Sequence, residues 1–259
     1  FSTGDGAFQY AGENSLFTSS QNGNIVYYKF EGETTSDFAA SPNLNNPIFI
    51  HPFAVSLVND EDIYVPDDAD IQYQTGLSTK TQTQIDNGWQ TITLSLANKA
   101  SKTMTAISLS STNPSNIIYG GLTAIGSATI KPSVVRIIES TQAHVEYEIT
   151  AATAGSYINN IAVNPENGDE ILVSISNYDV IGLFYSLNGG QTFTNVEGAF
   201  SSSNISNRVA TITKVDGQTV YFIGTSVGVY FTTEMKFESL KHFNRNTFFF
   251  ENLVKVWIS

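Results

Sequence analysis

The chain has 259 residues, 41% of them hydrophobic, a net charge of −12 against only 12 Lys and Arg, and no cysteine. It is long enough to bury a large core as one all-β domain, and too acidic and too poor in basic residues to bind nucleic-acid phosphates. It has no thiols for disulfides or thiolate metal sites, and no run nears the roughly 18 apolar residues of a membrane helix, so no membrane insertion is expected.

Helical periodicity is almost absent along the chain. Short β-branched and aromatic runs end instead at Gly, Asn, Asp and Pro. Strands are predicted over 6–10, 15–19 and 25–30, then over 49–58, 62–65, 70–74 and 89–94. A third group runs over 105–109, 117–121, 134–138 and 145–149, with Asn113, Pro114, Ser115 and Asn116 as a turn. The fourth takes 157–163, a turn from Asn164 to Gly168, then 171–176, 182–186 and 192–196. The fifth has 209–214, a turn at Asp216 and Gly217, 220–225 and 228–233. From Met235 onward glycine is absent, four of the 12 Lys and Arg appear, and Phe248, Phe249 and Phe250 cluster where the fifth group should make its outer strand. This stretch is read as a divergent closing segment, with 253–258 as one more inner strand, as a docking tail for a further domain, or as an altered terminus.

An apolar pair marks the second strand of each group: Leu16 and Phe17, Ile63 and Tyr64, Ile118 and Tyr119, Ile171 and Leu172, Val220 and Tyr221. The intervals are 47, 55, 53 and 49 residues, the size of one propeller blade. The predicted fold is therefore an all-β, single-domain β-propeller of four-stranded blades. Its five repeats fall near 1–45, 46–100, 101–152, 153–203 and 204–259, with 235–259 divergent. Stacked repeats leave an apolar face at each open end. The five units are read either as a closed ring or as an arc of a larger propeller.

The turn Ser186, Leu187, Asn188, Gly189, Gly190, Gln191, Thr192, Phe193 resembles the Asp-box of bacterial neuraminidase repeats, with Asn188 where Asp is usual. Its physics is local. The glycines permit positive φ, Asn188 can bond turn amides, and Phe193 can plug the blade, so Ser186, Asn188, Gly190, Thr192 and Phe193 are assigned a structural role. Gly4, Asp5 and Gly6 followed by Asn22, Gly23 and Asn24, then the phrases at 161–165 and 224–230, are similar to the propeller superfamily that includes sortilin-like and xyloglucanase-like domains. That resemblance covers roughly 4–233 and implies an extracellular home. Its members are common in large surface or secreted proteins of Bacteroidetes-type bacteria, often exported by the type IX system. The absence of Cys, the 14% charged content and the wealth of Ser, Thr, Asn and Gln agree with secretion. The start at Phe1, with no initiator Met or leader, suggests a piece of something longer.

Chemistry is sparse. Glycoside hydrolysis needs two carboxyl groups, about 5–5.5 Å apart for retention or about 6.5–9.5 Å for inversion. Asp5 is the one acid at the start of an inner strand; His51, Met104, Asn159, Asn160 and Arg208 hold the corresponding regions elsewhere. Asp5 is thus a catalytic candidate whose partner would lie in further blades. Sialidase chemistry needs three convergent arginines, whereas Arg136, Arg208 and Arg245 occupy dissimilar positions. Asp60, Glu61 and Asp62 sit at one end of a strand and Asp67, Asp68 and Asp70 at the other, and both groups are read as solvated acidic turns; Asp67, Asp68 and Asp70 alone are compact enough for one ion, calcium being the cofactor they would suit. His51, His144 and His242 have no metal-ligand spacing.

The expected function is a non-catalytic recognition, adhesion or scaffold propeller of a secreted or cell-surface bacterial protein, the alternative being a fragment of a xyloglucanase-like hydrolase. Its partners would be a glycan or a protein segment at the propeller mouth, and other domains or blades of the parent protein. Phe8, Tyr10, His51, Phe53, Tyr157, Asn159, Asn160 and Arg208 are the candidate ligand-binding residues, because aromatics beside amides suit both sugars and peptides. The competing reading is that these side chains pack the blade interfaces.

Overall fold

The computed structural model describes residues 8–56, 61–112, 114, 116–200, 204–234 and 241–242. They form five four-stranded sheets, each an antiparallel meander in chain order. The first holds β1 (Gln9–Ala11), β2 (Ser15–Ser19), β3 (Ile25–Glu31) and β4 (Thr34–Ala39). The second holds β5 (Ala54–Val55), β6 (Ile63–Asp67), β7 (Asp70–Gln74) and β8 (Gln90–Ile92), with a short helix α1 (Gln82–Asn87) before β8. The third is β9 (Thr103–Ser110), β10 (Ile117–Thr123), β11 (Ser133–Ile138) and β12 (His144–Glu148). The fourth is β13 (Ile158–Asn164), β14 (Asn167–Ile175), β15 (Leu183–Ser186) and β16 (Thr194–Asn195). The fifth is β17 (Asn207–Val215), β18 (Gln218–Thr225), β19 (Gly228–Thr232) and β20 (Lys241–His242).

Tight turns make the meanders. Asp216 and Gly217 join β17 to β18 with φ of 50° and 78°, the left-handed pair that a two-residue hairpin requires. Between sheets, the first strands converge. Thr105 Oγ1 of β9 donates to the Ile158 carbonyl of β13 at 2.6 Å, and the Ala210 amide of β17 donates to Asn160 Oδ1 of β13 at 2.9 Å. β13 therefore sits between β9 and β17, and the first strands lie innermost around a common axis, the arrangement of a propeller.

Successive strand residues point to opposite faces, so each sheet packs on both neighbours. Four apolar clusters join the sheets in series. Phe17, Tyr27, Phe53 and Ile63 link the first and second, and Tyr64, Ile92, Met104 and Ile118 the second and third. Tyr119, Ile158, Ile171 and Phe184 link the third and fourth, and Leu172, Leu183, Ala210 and Tyr221 the fourth and fifth. Each fully buried large side chain contributes roughly 1.5–3 kcal/mol. Among the described residues no such cluster joins the fifth sheet to the first.

The second-strand pairs obey this alternation, with one correction. Ile63, Ile118 and Ile171 face the preceding sheet, while Tyr64, Tyr119 and Leu172 face the following one. In the fifth sheet Tyr221 faces the preceding sheet, so the equivalent pair is Tyr221 and Phe222, not Val220 and Tyr221. A one-residue slip reverses every side chain, and three consecutive apolar residues at 220–222 conceal it in the sequence.

Four elements differ from expectation. Of the strand predicted over 49–58, the described residues 49–56 form only β5, with Phe49 and Ile50 exposed, and 57–58 lie outside the described residues. β4 and α1 were not predicted: β4 is almost wholly exposed and polar, and α1 buries only Ile85, so neither carries a hydrophobic period. A capping box sets the start of α1, in which the Gln84 amide donates to Thr81 Oγ1 and the Thr81 amide to Gln84 Oε1. The outer strand of the fifth sheet is Lys241–His242 and not the phenylalanine cluster. Phe248, Phe249, Phe250 and the strand expected over 253–258 lie outside the described residues.

Candidate functional site

Antiparallel order places the starts of the first strands and the second-to-third strand turns at one end, here the upper end. The first-to-second and third-to-fourth turns lie at the lower end. The eight expected ligand residues divide into two groups along the upper end.

Phe8, Tyr10, His51 and Phe53 belong to the interior between the first two sheets. Phe53 is 1% exposed, with Tyr10 edge-on to its ring at 5.0 Å and Phe8 at 6.4 Å. Burial pushes the Tyr10 phenol up to about 12. His51 is 3% exposed, with Nδ1 accepting from the Ile48 amide at 3.2 Å and Nε2 2.7 Å from the Pro66 carbonyl. That pairing requires the neutral Nε2–H tautomer, and burial accordingly lowers its pKa, the Pro66 carbonyl and Asp67 opposing in part. Phe53 and His51 leave no surface for a ligand.

The second group stands between the fourth and fifth sheets and is more open. Asn159 and Arg208 are exposed, Tyr157 and Asn160 half-buried. Asn160 is tied to β17 by the Ala210 amide, and Asn159 Nδ2 donates to the Arg208 carbonyl. The Tyr157 amide donates to Asn177 Oδ1 at 2.6 Å, and burial raises the pKa of its phenol. The sequence reading missed Tyr178. Its hydroxyl accepts from the Arg208 guanidinium at 3.2 Å, and the guanidinium carbon lies 5.6 Å from the ring centroid. Only an aromatic in the turn between β14 and β15, beside Asn177, signalled it. Asp5, the catalytic candidate, lies outside the described residues.

Asp67, Asp68 and Asp70 share the turn between β6 and β7, yet each answers a different donor. Asp67 accepts from the Asn45 amide and Asn45 Nδ2, both at 2.8 Å. Asp68 accepts from Asn46 Nδ2 at 3.1 Å, and Asp70 pairs with Lys99 at 2.7 Å and takes the Leu94 amide. Among the described residues no group of three or more His, Asp or Glu is placed to hold a metal ion. Asp62 sits at the far end of β6, accepting from the Gly76 amide at 2.8 Å. The arginines are equally dispersed: Arg136 pairs with Asp169 at 3.1 Å and Arg208 with Tyr178, while Arg245 lies outside the described residues. His144 is bound between the Ser95 amide and the Gln142 carbonyl.

The Ser186 turn closes on itself between β15 and β16, at the lower end. Ser186 Oγ accepts from the Gly190 amide at 2.9 Å, and Asn188 Oδ1 accepts from the Thr192 amide at 3.0 Å. Asn188 Nδ2 returns a bond to Thr192 Oγ1 at 2.9 Å. Gly189 and Gly190 take φ of 66° and 91°, which side-chain-bearing residues rarely adopt. Phe193 packs against the cluster between the third and fourth sheets.

No protein-family model matches the chain, and no curated protein matches it in sequence. Among solved structures it is similar to the GH74 xyloglucanase from Xanthomonas campestris, with a TM-score of 0.61 and 11% identity over 90% of this chain and 37% of that one. It is similar to an ancestral GH74 enzyme, at TM-score 0.59 and 14% identity, covering 91% of this chain and 30% of the other. The WD40 β-propeller domain of Doa1 gives 0.56 and 10%, covering 90% and 66%. The chain therefore spans about a third of the length of the two GH74 enzymes. At these identities the likeness is one of fold: an all-β propeller of five four-stranded antiparallel blades.

Proposed function

We propose that this propeller is a non-catalytic recognition, adhesion or scaffold module of a secreted or cell-surface bacterial protein, with a glycan or an extended protein segment as ligand at its upper end. The observation that carries the reading is the composition of the innermost strands: β1, β5, β9, β13 and β17 contain no Asp or Glu. Cleavage of a glycosidic bond on the axis needs two carboxyl groups, and among the described residues these strands supply none. The upper end offers Arg208 seated on Tyr178, with Asn159 and Tyr157 beside them. A flat ring, a guanidinium fork and an amide match the apolar faces and hydroxyls of sugars, or the carbonyls and carboxylates of a peptide. The self-closed Ser186 turn supports kinship with Asp-box and sortilin-like propellers, and through it export, including by the type IX route.

A second reading, a fragment of a xyloglucanase-type hydrolase, is favoured by the three-dimensional likeness to the GH74 enzymes. In it Asp5 supplies one carboxyl group and blades beyond this chain the other. A glycan array and a xyloglucan reducing-end release assay separate the two. The proposal expects binding without release, weakened at least about tenfold by Arg208→Ala. Release of reducing ends that Asp5→Asn abolishes would replace it with the hydrolase.

A further inference from the structure

The upper junction between the fourth and fifth sheets holds a cation without a counter-ion. Among the described residues Lys29, Lys99, Lys102, Lys214 and Arg136 each pair with a carboxylate, and Lys80 and Lys131 donate to Gln74 and to the Thr150 carbonyl. Arg208 pairs with no acid, in a chain of net charge −12 and with Asp179 next to Tyr178 in the sequence. Of the five N–H donors of its guanidinium, one is engaged, on the Tyr178 hydroxyl at 3.2 Å. At least one edge of two parallel N–H groups is therefore open.

That open edge is held in place from several sides. The turn over 176–182, which carries Tyr178, receives the Tyr157 amide on Asn177 Oδ1 at 2.6 Å and the Ser206 hydroxyl on the Ser176 carbonyl. Glu197, buried beneath, accepts from the Gly182 amide at 3.0 Å and from Asn207 Nδ2 at 3.3 Å, so one carboxyl group ties the Tyr178 turn to the residue before Arg208. Asn159 Nδ2 fixes the Arg208 carbonyl in turn. Holding a long side chain still costs rotamer entropy, and here no internal ion pair offsets it. A fork fixed in advance lowers that cost for whatever binds it.

The complement of an open fork is a carboxylate, bound through two parallel N–H···O bonds. The surrounding groups say what carries it. The Tyr178 hydroxyl, which accepts from Arg208, keeps its own proton to donate, and Asn159, which donates through Nδ2, keeps Oδ1 to accept. Tyr178 is 49% exposed, so the guanidinium at 5.6 Å from its centroid covers only part of the ring. A sugar acid presents a carboxylate, hydroxyls and an apolar C–H face together on one rigid ring. We infer that this junction binds a hexuronate residue of an acidic glycan, its carboxylate on the Arg208 fork and the Tyr178 hydroxyl, and one of its ring hydroxyls donating to Asn159 Oδ1. The inference rests on the upper end being a recognition site and narrows its ligand to an acidic sugar.

The test is calorimetric titration of the whole chain with trigalacturonate, with its fully methyl-esterified counterpart and with acetyl-triglycine, at about 0.15 M salt, where a screening length of about 8 Å damps repulsion from distant acids. The ester keeps the shape and loses the charge. The peptide keeps a carboxylate and loses the sugar. Trigalacturonate is expected to bind with a Kd of about 1 mM or tighter, and the ester and the peptide at least about tenfold more weakly. Arg208→Lys, which keeps the charge but not the fork, should weaken trigalacturonate by about 3- to 10-fold, and Tyr178→Phe by a similar factor, both with the folded circular dichroism spectrum intact. No binding of trigalacturonate, equal binding of the ester or the peptide, or an affinity unchanged in either variant would overturn the inference. Ester binding as tight as that of the acid, and lost in Arg208→Ala, would do so while leaving recognition at the upper end standing.

Discussion

Between the fourth and fifth sheets, Tyr185 and Tyr221 meet edge to face at 6.5 Å and both donate to Glu170, at 2.8 and 2.7 Å. Asn164 Nδ2 donates to the other oxygen of Glu170 at 2.7 Å, and the acid is only 7% exposed. Between the first and second sheets, Tyr27 is buried as deeply in an aromatic stack and bonds to nothing. Burial is the same problem in both places, with opposite outcomes. A polar group satisfied inside an interface adds to its stability; one buried without a partner subtracts from it.

The largest test of the contrast removes the acceptor. Glu170→Ala strands two phenols and an amide in a dry interface and should cost about 3–5 kcal/mol, read as a fall in the urea midpoint. A loss under about 1 kcal/mol would show that the network does not hold the two sheets together.

A matched pair sharpens it further. Tyr221→Phe deletes a satisfied hydroxyl and should cost about 1–1.5 kcal/mol, whereas Tyr27→Phe deletes an unsatisfied one and should leave stability within about 0.5 kcal/mol or raise it slightly. Equal losses would erase the distinction.

The two interfaces should also respond oppositely to pH. His51 is held neutral, its pKa lowered by burial from 6.5, so the unfolded chain takes up a proton first as pH falls. Stability from this group is therefore present above about 6.5 and is lost below it, down to the folded value. Glu197, 4% exposed, accepts from the Gly182 amide at 3.0 Å and from Asn207 Nδ2; burial nevertheless raises its pKa from 4.5. Here the folded chain keeps a proton the unfolded chain has released, so stability falls as pH rises above 4.5 through the folded value. Urea midpoints across this range should lose their acid-side drop in His51→Gln and their rise toward acid in Glu197→Gln. A profile unchanged in either variant would remove that residue from the account. The smallest effect is expected at the surface: Arg208→Ala should change stability by no more than about 0.5 kcal/mol while weakening ligand binding.

The blade repeat was legible because alternation and turn chemistry are local. Ile171 with Leu172, the Asp216 and Gly217 turn, and the Ser186 turn each carry their conformation in adjacent residues. The register of the fifth blade was not legible, since three apolar residues in a row fit either parity and only packing against Leu172 chooses between them. Helix α1 and strand β4 escaped for a related reason: each buries too little to print a period on the sequence.

Site residues divide in the same way. Aromatic and amide residues near the first-strand starts could be picked from the chain, but not which of them face inward. Phe53 and His51 do so because the second sheet closes on them, while Arg208 stays at the surface because Tyr178, thirty residues earlier, arrives beneath it. The chain alone determined a string of four-stranded units, through short-range steric and hydrogen-bond preferences. Which buried polar groups find partners and which do not depended on atoms far apart in sequence, as with Glu170 and Tyr221 at a separation of 51 residues. Only the packing of one sheet on the next could decide that.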